Sequence, residues 1–205
     1  MAQAPLLIVP GRGNSEAGHW QTLIERRFSG AQRVEQEHWE TPELDAWSRR
    51  IDEVVRGLDR QPLLVAHSFG CLAAAYAQIT LGTPVGATLF VAPADPQRFA
   101  LPERLFQERL RQPGFLVASD NDPWMSHERA IAMANAWGVD HTTLKNGGHI
   151  NVASGHGRWL QGEAIVARMR RQLLETESLL QSDPALSPRH RGAVSRRPTS
   201  SAALF

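Results

Sequence analysis

Residues 63–77 read LLVAHSFGCLAAAYA. Leu63 to Ala66 suits a buried strand, an alanine-rich helical pattern begins at Phe69, and Ser68 stands at the join. Two readings of that serine compete. It is an ordinary helix N-cap, a position serine favours, or it is the exposed residue of a nucleophile elbow. The second reading needs small residues on both sides so that strand and helix can approach, and Ala66 and Gly70 supply them. The remainder of the chain has to decide.

Working outward, short apolar runs alternate with amphipathic stretches. Leu6 to Val9 is an apolar run stopped by Pro10-Gly11 and reads as a buried strand. Gly18 to Phe28 is helical in pattern, with Trp20, Leu23, Ile24 and Phe28 on one face, and a weak strand is expected near Arg33 to Gln36. Thr41-Pro42 has the form of a helix start, and Leu44, Trp47, Ile51, Val54, Val55 and Leu58 follow the helical period. Beyond the helix of residues 69–81, strands are expected at Ala87–Ala92, Phe115–Ser119 and His141–Leu144. Helices are expected at His127–Trp137, capped by Ser126, and at Arg158–Leu180. Such alternation predicts a doubly wound, mostly parallel α/β sheet with helices on both faces. Residues 1–180 form one domain in this reading. From Gln181 to Phe205 serine, proline and arginine dominate without periodicity, and a disordered tail is expected there.

Composition narrows the function classes. The 205 residues are 42% hydrophobic and 21% charged with a formal net charge of +1, which points to neither a nucleic-acid nor a membrane surface. Even that excess is local, since the last 25 residues carry four arginines against one acid. No apolar run approaches the ~20 residues that span a bilayer, and the N-terminus is a poor signal peptide. The single cysteine, Cys71, allows no internal disulfide and fits a cytoplasmic location.

In a doubly wound sheet, ligands sit beyond the C-terminal strand ends. Three such ends carry reactive side chains: Ser68, then Asp120 and Asp122 in SDNDPW, then His149 in NGGHIN. The order Ser, Asp, His is that of the α/β-hydrolase triad. A serine hydroxyl needs a base to take its proton as it attacks, imidazole titrates near neutrality, and a carboxylate sets the imidazole tautomer. The helix beginning at Phe69 points its first amides at a developing oxyanion. A second amide is expected from the loop Gly11-Arg12-Gly13, at Arg12. Between the two acids, Asp122 precedes Pro123, which restricts its backbone to extended conformations, while Asp120 is placed to brace the turn.

With these residues in view, the chain resembles the retinoblastoma-binding protein nine type of serine hydrolases, a small α/β-hydrolase family, from about Leu6 to Arg171. The resemblance is carried by PGRGNSEAGHWQ, Glu37-His38-Trp39 with Pro42 and Trp47, AHSFG, LFVAPAD, ASDNDPW and GGHINVASGHGRWLQG. It implies a compact sheet, almost no lid, and a cofactor-free triad of Ser68, Asp122 and His149. Two departures are visible. Ala66 stands for the first glycine of G-x-S-x-G, and Leu160 replaces a proline elsewhere common after the tryptophan.

The expected function is hydrolysis of small carboxylic esters through an acyl-enzyme on Ser68, in a site covered only by Pro93–Pro113, which has room for one or two short helices. An amidase or aminopeptidase with the same triad, and a non-catalytic interaction protein on a hydrolase fold, are the alternatives. His19, Trp39 and Trp124 are candidates for substrate contact, with core packing the competing role for the tryptophans and for Trp20. His67 reads as a buried structural residue and Cys71 as packing. His141, His149 and His156 match no metal-ligand spacing, so no metal is expected. Arg12 reads as an exposed loop arginine.

Overall fold

The computed structural model of the chain describes residues 3–182. The tail expected after residue 180 therefore lies outside the described residues, apart from residues 181 and 182, which close the last helix. Six strands run in the order β2-β1-β3-β4-β5-β6, where β1 is Leu6–Val9, β2 Ala31–Arg33, β3 Leu63–Ser68, β4 Ala87–Pro93, β5 Gly114–Ser119 and β6 Asp140–Leu144. Every pairing is parallel. Among the described residues four helices connect them, α1 Trp20–Arg27, α2 Leu44–Arg56, α3 Phe69–Thr80 and α4 His127–Trp137, and α5 Leu160–Ser182 follows the last strand. None of the described helices is long and apolar enough to cross a membrane.

The continuous apolar runs of β1, β3 and β4 are explained by burial on both faces of the sheet. Alternate residues feed two cores. Leu7, Val9, Leu64, Ala66 and Phe90 meet Trp47, Ile51, Leu72 and Trp137 of α2, α3 and α4. Leu6, Ile8, Leu63, Val65, Leu89 and Val91 meet Trp20 and Ile24 of α1, Val166 of α5 and Trp159 just before α5. The outer strands are short and more exposed: β2 has three residues, β6 has five with four of them exposed. Short polar edge strands discourage pairing with another sheet edge.

Most element boundaries fall within two residues of expectation, and two depart by three. The second strand is Ala31–Arg33 and not Arg33–Gln36, because its partner β1 is short and the ladder is used up once Ile8 pairs with Arg33. The helix expected from Thr41-Pro42 starts at Leu44, after Glu43, which makes no side-chain cap. Leu44 is the first side chain of that stretch to reach the core, so packing and not capping sets the start. The β4–β5 connection holds only two single 3-10 turns, Pro96–Phe99 and Glu103–Phe106.

What positions the site is the crossing of α3 over the end of β1. A Cβ on Gly70 would lie 2.4 Å from the carbonyl oxygens of both Val9 and Pro10, so only glycine lets the first turn of α3 settle there. Gly70→Ala is expected to destabilise the fold by roughly 2 kcal/mol, the scale of an overpacked core site with little room to yield. Urea unfolding against wild type measures it, and an unchanged midpoint would show that α3 can lift without cost.

Candidate active site

Ser68 occupies the turn between β3 and α3 with φ 54° and ψ −124°. A non-glycine residue there carries backbone strain of about 1–3 kcal/mol. It precedes the first helical residue, yet its side chain makes no capping hydrogen bond, which disposes of the N-cap alternative. The hydroxyl instead lies 2.9 Å from Nε2 of His149. Gly11 forms the shoulder opposite, where a Cβ would sit 2.6 Å from the Ser68 Cβ.

The loop after β1 supplies the other side of the site. The Gly13 amide donates to the Trp39 carbonyl at 3.0 Å and the Asn14 amide to the Gly11 carbonyl at 3.1 Å. The Arg12 amide has no acceptor among the described residues, and Phe69, as the first residue of α3, has no intrahelical acceptor for its own. These are the amides expected to face an oxyanion. The Arg12 side chain is exposed and 4.0 Å from exposed Glu40, a contact of little energetic weight.

Sequence reading missed how this loop is held. Gln21 is fully buried; its Oε1 accepts from the Ser15 hydroxyl at 2.7 Å, and its Nε2 donates to the carbonyls of Val65 at 2.9 Å and Val9 at 3.2 Å. Arg33 donates to Asn14 Oδ1 at 2.8 Å and to the Ser15 carbonyl at 3.0 Å. The available signal was a glutamine three residues before Ile24, hence on the apolar face of α1.

Three consecutive side chains of the loop after β5 grip the loop that carries His149. Asp120 accepts from the Asn146 amide at 2.7 Å. Asn121 accepts from the Gly148 amide at 2.7 Å and from the Ser119 hydroxyl at 2.9 Å. Asp122, its side chain 3% exposed, places its two oxygens 3.0 and 2.9 Å from His149 Nδ1, and its Oδ1 also accepts from the Trp124 amide at 2.8 Å. A carboxylate only accepts, so Nδ1 carries the proton and the Nε2 lone pair faces the Ser68 hydroxyl. Asp120 braces the loop and Asp122 holds the imidazole. Ser126 caps α4 by accepting from the Arg129 amide.

Of the side chains expected at the substrate, His19 is buried, only 3% exposed. Its Nδ1 accepts from the Gln21 amide at 3.2 Å, capping α1. Trp20 is fully buried and belongs to the core. Trp39 is half-buried and edge-on to Trp47, which is edge-on to Phe69, which tilts against Phe99; successive ring centres are 5.4, 5.2 and 4.7 Å apart. Trp124 is 51% exposed, its ring 6.4 Å from that of His149 and beneath the Arg98 guanidinium. Cys71 is buried, its thiol donating to the Val91 carbonyl at 3.5 Å, and burial pushes its pKa far up. Among the described residues no three His, Cys, Asp or Glu side chains are grouped to hold a metal ion.

A model of the family described as serine hydrolase matches residues 6–168. The chain belongs to the serine hydrolase family. It is similar to a YdeN-like hydrolase from Pectobacterium atrosepticum, with 35% identity and a TM-score of 0.79 over 83% of this chain and 92% of that one. The ydeN gene product of Bacillus subtilis matches at 19% identity and TM-score 0.68 over 81% and 98%. Est1E from Butyrivibrio proteoclasticus matches at 14% and 0.60 over 86% and 89%. No curated protein sequence matches the chain. The fold of this serine hydrolase is that of the α/β-hydrolases.

Burial of imidazoles beside the site gives a pH signature. Burial first, then the Arg33 charge and His149, lowers the pKa of His19 from 6.5 to about 4. Burial, reinforced by His149 and His19, holds His67 well below the ordinary range. A histidine whose folded-state pKa is below its unfolded value binds fewer protons when folded. Its contribution to stability is full above pH 6.5 and is lost as pH falls. For His19 the loss between pH 6.5 and 4 is on the order of 3 kcal/mol. Urea midpoints measured across that interval should fall with pH in wild type and less steeply in His19→Gln; identical slopes would remove His19 as a cause.

Proposed function

We propose that this serine hydrolase cleaves small carboxylic esters through an acyl-enzyme on Ser68, with His149 as base and Asp122 as its partner. Its motifs AHSFG, ASDNDPW and GGHIN support a kinship with the retinoblastoma-binding protein nine type within that family. The observation that carries the reading is the unbroken chain of hydrogen bonds from Asp122 through His149 to Ser68, 2.9 Å at each link, ending on a serine in a strained turn.

The chemistry follows from the tautomer. As the Ser68 oxygen attacks the ester carbonyl, its proton passes to His149 Nε2, and Asp122 stabilises the imidazolium. The carbonyl oxygen gains negative charge in front of the amides of Phe69 and Arg12 and the N-terminus of α3. Collapse of the tetrahedral species breaks the bond to the alcohol, which leaves with the proton held on His149. Water then attacks the acyl-enzyme, giving its proton to the same nitrogen, and the serine leaves with it. Only the triad, the amides and water enter these steps. The thin cover of two 3-10 turns and the aromatic row from Trp39 to Phe99 favour a short, uncharged acyl group.

A fluorophosphonate probe should label Ser68 stoichiometrically, and Ser68→Ala should abolish both labelling and turnover of a short-chain ester. Labelling that survives in Ser68→Ala removes the reading, and faster turnover of an aminoacyl amide than of the ester makes the protein an amidase. On the same ester, Asp122→Asn should lower kcat by up to ~10⁴-fold, since the imidazole loses its tautomer. Asp120→Asn should act chiefly on thermal stability and keep most of the activity. A larger kinetic loss at Asp120 would reverse the assignment.

A further inference from the structure

His67 is the neighbour of Ser68 in sequence, and its burial alone would make it a packing residue. Its Nε2, however, stands 2.9 Å from the backbone carbonyl oxygen of His149, 82 residues away in the chain. A carbonyl only accepts, so this nitrogen carries the proton and donates. The next carbonyl is held in the same way. The Trp20 Nε1–H donates to the Ile150 carbonyl at 2.7 Å, with both groups buried. Two successive carbonyls of the histidine loop are thus each held by a ring N–H, one from β3 and one from α1.

The loop needs holding. Ile150 has φ 46°, and a β-branched residue in the left-handed region is a true outlier. Such a conformation persists only where its surroundings over-determine it. If the two carbonyls were free, the chain could relax at Ile150, and the imidazole attached one residue earlier would turn with it. The ring of His67 also lies 4.9 Å from that of His149 and 5.0 Å from that of His19. Its burial keeps it neutral, so the donor adds no positive charge beside an imidazolium formed on His149.

We infer that His67 and Trp20 are positioning residues, whose N–H groups hold the strained backbone of His149 and Ile150 so that the His149 Nε2 faces the Ser68 hydroxyl. The inference rests on the triad reading above. Because His67 and Ser68 are consecutive, one turn of backbone sets both the nucleophile and the donor that orients its base, so the two keep their separation if the turn shifts.

The test compares His67→Gln, whose amide N–H reaches about as far as Nε2, with His67→Met, which fills the volume and donates nothing. For the folded Met variant, kcat on the ester should fall on the order of 10²-fold with KM unchanged, the scale of a misplaced reacting group. The rate of fluorophosphonate labelling at Ser68 should fall in parallel. The Gln variant should recover most of both, although both substitutions lower the melting temperature. A folded Met variant with wild-type kcat, or a Gln variant no faster than Met, overturns the inference. Should the Met variant not fold, Trp20→Phe has to show the same kcat loss, and heteronuclear NMR of wild type has to find the His67 proton on Nε2; a normal kcat or a proton on Nδ1 overturns it. Failure of the triad reading is distinct, since it would appear as wild-type protein that does not label at Ser68.

Discussion

The close approach of α3 to the end of β1 is the constraint from which the rest of the site follows. At Gly70 the helix lies against the carbonyl oxygens of Val9 and Pro10 with no space for a side chain. To reach that position from β3 the chain has to turn within one residue, and the strain of the turn falls on Ser68, at φ 54°. The same contact seats the loop after β1 against the serine, with Gly11 touching the Ser68 Cβ. A helix start, a strained serine and a row of amides are therefore consequences of one packing arrangement. The strain is borne by the best-buried part of the molecule, since β1, β4 and most of β3 are inaccessible to solvent.

Around this turn, side chains of other elements hold the loops of the site. Asp120, Asn121 and Asp122 bind the backbone and ring of the residue 146–149 segment, and Gln21 and Arg33 bind the residue 9–15 segment. Those of Gln21 are buried, where leaving a partner unmade is costly. Rigid placement of this kind lets donors and dipoles stand ready before charge develops, which is the main electrostatic contribution an active site makes. Burial of His19 and His67 serves the same end, keeping two of the three clustered imidazoles neutral.

Much of this was legible in residue order. The parallel sheet followed from apolar runs such as Leu6–Val9 and Ala87–Ala92, because strands covered on both faces have no polar side to show. That Ser68, Asp122 and His149 converge was legible because each stands at or a few residues beyond the C-terminal end of a strand, and because Pro123 narrows the backbone choices of Asp122. Boundaries governed by partners were not legible. The extent of β2 depends on the length of β1, and the start of α2 on where Leu44 meets the core.

By itself, the sequence determined the two-faced sheet, the strand-end placement of the reactive residues and their chain order, since periodicity and local backbone preference act over a few residues. Only the tertiary structure decided what Gln21, Asn121 and His67 do. Their partners lie elsewhere in the chain, 82 residues away for His67 and 27 for Asn121. A buried polar side chain takes its role from whichever unsatisfied group folding brings beside it. That group is a property of the packed molecule and leaves no periodic trace in the sequence.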